Sequence, residues 1–83
     1  MYSLLAKPSI EKDLRNISPN ILPLINRKIH SLSENPRQSQ TKKLKGLEGY
    51  RLRVGNYRIL YEIDDSNKIV TICSVLRRKE AYR

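Results

Sequence analysis

Residues 44–64 read LKGLEGYRLRVGNYRILYEID, and this stretch decides the fold because strand alternation, a hairpin turn and clustered arginines coincide in it. Tyr50, Leu52 and Val54 alternate with Arg51 and Arg53. Beyond Gly55-Asn56, Tyr57, Ile59, Tyr61 and Ile63 alternate with Arg58, Leu60 and Glu62. Gly-Asn between such runs marks a two-residue hairpin turn, since both residues tolerate positive φ. Its register pairs Val54 with Tyr57, sets Arg53 opposite Arg58, and sets Arg51 opposite Leu60 on the same face. Like charges opposed across a ladder destabilise a sheet, so the cluster points to an external polyanion, whose phosphates suit the planar, bidentate guanidinium. The other reading is a solvated sheet face whose arginine stems lie over apolar neighbours.

Downstream, residues 64–68 (DDSNK) form a polar turn, and residues 69–76 (IVTICSVL) read as a third consecutive strand on their β-branched content. If Ile63 pairs with Ile69, then Val70, Ile72, Ser74, Leu76 and Arg78 share the face of Arg53 and Arg58. The antiparallel return also carries Arg77 and Arg78 to the Gly55 end, with Tyr82 close behind. A one-residue slip exchanges Arg78 for Arg77 on that face.

Upstream, Tyr2 to Ala6 is a short apolar run that can form a strand, and Pro8 suits a helix start. Ile10, Leu14 and Ile17 recur at helical spacing; Leu22, Ile25, Ile29 and Leu32 make a second stripe. Ser18-Pro19-Asn20 separates the two, with Asn20 the expected cap of the second helix, and Asn35-Pro36 ends it. A short break between two helices predicts an antiparallel helical hairpin. Residues 37–43 (RQSQTKK) read as a basic loop or extended connector, in reach of a phosphate backbone or simply solvated. The order β-α-α-β-β-β predicts an α+β domain, a helical hairpin packed on one face of an antiparallel sheet with the arginines on the other.

Eighty-three residues with 39% hydrophobic content suit one domain, residues 1–83, with a modest core. A formal net charge of +9 implies a polyanionic partner. That charge is uneven: residues 37–58 hold seven bases against one acid, Glu48, and residues 77–83 hold four against Glu80. Cys73, the single cysteine, excludes a disulfide framework and reads as a small core residue. His30, the single histidine, falls off the apolar stripe and has no companion ligand. No apolar run reaches the roughly 18 residues needed to span a bilayer, and the start lacks a signal-peptide pattern, so a cytoplasmic protein is expected.

The sequence shows no Cys/His pair, metal-ligand cluster or phosphate-binding glycine loop, so no metal or cofactor is expected. Arginine, lysine and tyrosine remain. Such a set suffices to stabilise a phosphorane and to move a proton through Tyr82, as metal-free RNA cleavage by a 2′-hydroxyl requires. The same residues also serve binding alone.

The succession LKGLEGYRLRVGNYRILYEID, KIVTICSV and RRKEAY resembles the RelE/ParE superfamily of bacterial and archaeal toxins along the whole chain. The resemblance implies a RelE-like fold, a cognate antitoxin and, for the RelE branch, an endoribonuclease that enters the A site of the 70S ribosome and cuts mRNA there. Carried over by position, it marks Arg58 and Arg78 as holders of the scissile phosphate and Tyr82 as the group that stacks on the base or orients the 2′-hydroxyl. It also marks Arg51 and Arg53 as groups that grip the RNA backbone or assist proton transfer; Arg77, Lys43 and Lys45 are expected to bind RNA beside them. Arg51 and Arg53 stand where some RelE-type enzymes carry lysine; a guanidinium stays protonated, which suits phosphate holding better than base catalysis. The alternatives are a ParE-like DNA gyrase inhibitor and a catalytically weak module acting mainly with its antitoxin in autoregulation.

Overall fold

The computed structural model describes residues 1–38, 41–43 and 49–77. In chain order they form β1 (Ser3–Ala6), α1 (Ser9–Arg15), α2 (Leu22–Ser31), β2 (Thr41–Lys43), β3 (Tyr50–Val54), β4 (Tyr57–Asp64) and β5 (Ile69–Arg77). The strands make one sheet in the order β1-β5-β4-β3-β2. Both helices supply core residues to one of its faces, Ile10 from α1 and Ile25 from α2, with Ile17 and Leu32 just beyond their ends. This is the expected α+β architecture, with two strand pairings added to it.

The first addition is at the β1 edge. β1 runs parallel to β5, pairing Leu4 with Val70 and Ala6 with Ile72, so the sheet is mixed. Backbone bonds from Tyr2 to Ser33 (2.7 Å) and from Lys7 to Ile72 (3.0 Å) fasten both ends of β1. The second addition is β2, three residues from the basic connector, paired antiparallel with β3.

At the centre, the β3–β4 register is the one that the Gly55-Asn56 turn dictates: Val54 with Tyr57, Arg53 with Arg58, Arg51 with Leu60. Gly55 has φ 58°, the conformation a two-residue hairpin turn needs. A Cβ there would lie 3.0 Å from Ile21 Cδ1, so the same glycine lets the hairpin tip close on the start of α2. That helix differs from expectation at its first residue. Its N-cap is Ile21, without a side-chain cap; the Ser18 carbonyl accepts from the N–H groups of Ile21 and Leu22 instead (both 3.1 Å).

The β4–β5 pairing corrects the expected register. Asp64, not Ile63, pairs with Ile69, because the turn takes four residues and closes through Lys68 at φ 56°. Val70 and Ile72 therefore fall on the helix face, where they are 0% and 1% exposed. The ladder then shifts between Leu60/Ser74 and Tyr61/Ile72, leaving Cys73 as the extra residue of a bulge. Past the bulge, Ser74 and Leu76 return to the arginine face, where the expected register had placed them. α1 attends to the same strand. β5 outruns β1 after Ile72, and the Asp13 carboxylate accepts the Val75 N–H there (3.1 Å), satisfying a donor on an open strand edge.

Candidate nucleic-acid interface

The face of the sheet away from the helices is built row by row from the ladder. Nearest the Gly55 turn, Arg53, Arg58 and Leu76 lie side by side on β3, β4 and β5; in the next row stand Lys42, Arg51, Leu60 and Ser74, on β2 to β5. Among the described residues, four bases thus occupy one end of one face. Arg53 is exposed, Arg51 half-buried, and Arg58 only 3% exposed. A guanidinium is seldom buried to that degree, because desolvating a charge is costly. Toward the other end the same face turns acidic. Glu62 and Asp64 follow Arg58 along β4, beside a groove of about 560 Å³ that Leu5, Ile69 and Thr71 also line.

Not all the expected residues gather. Lys43 pairs with Tyr50 and Arg77 with Tyr57, so both stand on the helix side of the sheet. Arg77 lines a pocket of about 330 Å³ with Asp13, Asn16 and Ile17. Lys45, Arg78 and Tyr82 lie outside the described residues. Lys42, in the sequence only one of the connector lysines in reach of a phosphate, is the one that joins the arginine rows; its position depends on a three-residue strand too short to show alternation.

The opposite end of the sheet carries a second polar cluster, and it absorbs one of the bases of the basic connector. Arg37 donates to both Asp65 oxygens (3.2 and 2.8 Å) and to the Tyr50 hydroxyl (3.3 Å), while the Tyr2 hydroxyl donates to the same carboxylate (2.6 Å). These bonds, Arg37 first, hold the Asp65 carboxyl down to about 2. Tyr61 stacks on Tyr50 at 5.8 Å and donates to the Pro36 carbonyl. Burial, at 1% exposure, pushes its phenol up to about 12. Arg37, one of the seven bases of residues 37–58, is spent in the structure on anchoring the connector. Burial also raises the Cys73 thiol, which fits a structural bulge residue rather than a nucleophile.

Chemically, the basic end offers charge-assisted hydrogen bonds to a phosphate backbone. Among the described residues, no three His, Cys, Asp or Glu side chains are grouped to hold a metal ion, and no helix is long and apolar enough to cross a membrane. A family model described as the ParE toxin of type II toxin–antitoxin systems, parDE, matches residues 4–82.

The chain belongs to the ParE/RelE toxin family.

Among its relatives in that family is RelE1 of Methanocaldococcus jannaschii, 32% identical over 76 residues, 87% of this chain and 84% of the relative. The toxin–antitoxin complex RelBE2 of Mycobacterium tuberculosis superposes with a TM-score of 0.82 at 30% identity, covering 93% of this chain and 98% of that one. The RelB–RelE complex from Methanococcus jannaschii gives 0.77 at 31% identity, covering 94% of each chain. The ParE/RelE fold is therefore matched over nearly its whole length, and the basic rows described above lie within that match.

Proposed function

We propose that this toxin is a ribosome-dependent endoribonuclease that cleaves mRNA in the A site without a metal, by attack of a 2′-hydroxyl on the neighbouring phosphorus. The observation that carries the reading is Arg53 set directly opposite Arg58, with Arg51 and Lys42 in the adjoining row. The oxygen of the 2′-hydroxyl bonds to phosphorus as its proton leaves. The bond to the 5′-oxygen breaks and that oxygen takes up a proton, giving a cyclic 2′,3′-phosphate and a 5′-hydroxyl. In this reading Arg58 and Arg78 stabilise the extra charge on the phosphorane, Tyr82 stacks on the base or orients the attacking hydroxyl, and Arg51 and Arg53 grip the flanking backbone. Arg58 is 3% exposed, so contact with a phosphate requires a rearrangement around it. A cognate antitoxin is the natural partner, since two of the similar structures are complexes of toxin with antitoxin; an acidic segment of it would neutralise the basic rows.

The test is primer-extension mapping of a defined mRNA incubated with the toxin, with and without programmed ribosomes. Cuts within the A-site codon that need the ribosome are expected. Arg58→Ala should slow them about 100- to 1000-fold, the usual cost of one lost transition-state donor. Arg58→Lys should fall between, keeping the charge and losing the bidentate geometry. Circular dichroism must accompany both variants, because a side chain this buried also supports the fold. A matched model named for ParE favours a second reading, inhibition of DNA gyrase by binding alone. Growth arrest by folded toxin with no RNA cut in either condition would select it.

A further inference from the structure

We infer that Lys42, on the edge strand β2, holds a backbone phosphate of the RNA next to the one held at Arg58, and so sets the direction in which the strand leaves the site across the sheet; this rests on the endoribonuclease reading and adds a contact to it.

The placement follows from register. Lys42 pairs with Arg51, and Arg51 stands two residues from Arg53 on β3, so all three side chains rise from the same face. Lys43 pairs with Tyr50 and leaves by the other face. Exposure rises along this path from Arg58 at 3% through half-buried Arg51 to exposed Lys42. The two lysines carry the same charge at adjacent positions, and only one of them can extend the row.

Lys42 stands two strands from Arg58, about 10 Å across the sheet by ordinary strand spacing. That separation calls for a different phosphate from the one on Arg58. A flexible ammonium at an edge suits such a flanking contact, which needs charge rather than bidentate geometry.

Which lysine faces the arginines is not left to β2 alone, since a slip of one residue in so short a strand would exchange them. The preceding connector is pinned at three points. Arg37 grips Asp65, the Tyr61 hydroxyl donates to the Pro36 carbonyl, and the Gln38 carbonyl accepts from both the Thr41 N–H (3.0 Å) and its hydroxyl (2.6 Å). The polar cluster at one end of the sheet thus anchors the segment that leads into β2.

The experiment compares the full chain with Lys42→Ala, Lys42→Arg and Lys43→Ala, measuring binding of a labelled single-stranded RNA oligonucleotide across a salt series beside cleavage on programmed ribosomes. Each phosphate contact to a single strand contributes a slope of about −0.7 to log affinity against log salt. Lys42→Ala should lose about that much slope and weaken binding several-fold at low salt, Lys42→Arg should restore both, and Lys43→Ala should leave the slope unchanged. In cleavage, Lys42→Ala should raise the ribosome concentration needed and leave the saturated rate unchanged. Equal effects of the two alanine variants, no effect of either, or no RNA binding by the parent chain would overturn the assignment. RNA binding with a slope that depends on Lys42 but without any cleavage would leave the contact standing and sink the nuclease reading instead.

Discussion

Tyr61 shows how one side chain can serve packing and polarity together. Its ring is buried and stacked on Tyr50 while its hydroxyl reaches the Pro36 carbonyl. Tyr61→Phe keeps the ring and strands that carbonyl, so it should cost about 1 kcal/mol in urea unfolding at pH 7. The comparison changes with pH. Burial raises the phenol from its ordinary 10 to about 12 in the folded chain, so between those values the folded state keeps a proton that the unfolded state has released. The stabilisation from the neutral phenol is whole below about pH 10 and is lost as pH rises toward 12. The gap between parent and Tyr61→Phe should therefore shrink from pH 9 to pH 11. A gap independent of pH would show that the phenol is not desolvated in the fold.

Elements differ in how much of their placement is written locally. The β3–β4 hairpin was legible because Gly55-Asn56 ties turn and register together within a few residues, and the Arg53–Arg58 opposition followed at once. The β4–β5 register was missed by one residue, because nothing in DDSNK announces that Lys68 takes a left-handed conformation and shortens the turn. The bulge at Cys73 hides further: an extra residue in an apolar β-branched run leaves no sequence mark. β1 beside β5 and β2 beside β3 are edge pairings of four and three residues, settled by non-local contacts. The anchoring of the connector belongs to this scale too, since Arg37 and Asp65 lie 28 positions apart. Asp65 is depressed to about 2 from an ordinary 3.8, so its contribution is present above pH 4 and lost as pH falls toward 2. Asp65→Asn should therefore differ from the parent modestly at neutral pH, both partners being substantially exposed, and converge with it in thermal unfolding near pH 2. Divergence that persists at pH 2 would mean that the residue acts through packing rather than charge.

The molecule as a whole carries +9 on 83 residues, and its basic rows bring like charges together in the folded state. Self-repulsion of that kind works against compactness, while any polyanion that binds the folded chain and not the unfolded one stabilises it by mass action. At a free concentration one hundred times its dissociation constant, such a ligand contributes about 2.7 kcal/mol. For a domain of this size each kcal/mol moves the melting temperature by about 4–8 °C. A short single-stranded RNA at that excess should then raise the melting temperature by roughly 10–20 °C at low salt, and the shift should fade as salt rises and counterion release weakens. A peptide nucleic acid of the same base sequence presents the same bases on an uncharged backbone. If the sheet face reads phosphate, that analogue should give no shift, and Arg51→Ala with Arg53→Ala in one chain should remove most of the RNA effect. An equal shift with the uncharged analogue would move recognition from the guanidiniums to base stacking, and with it the case for the arginine rows as the RNA surface.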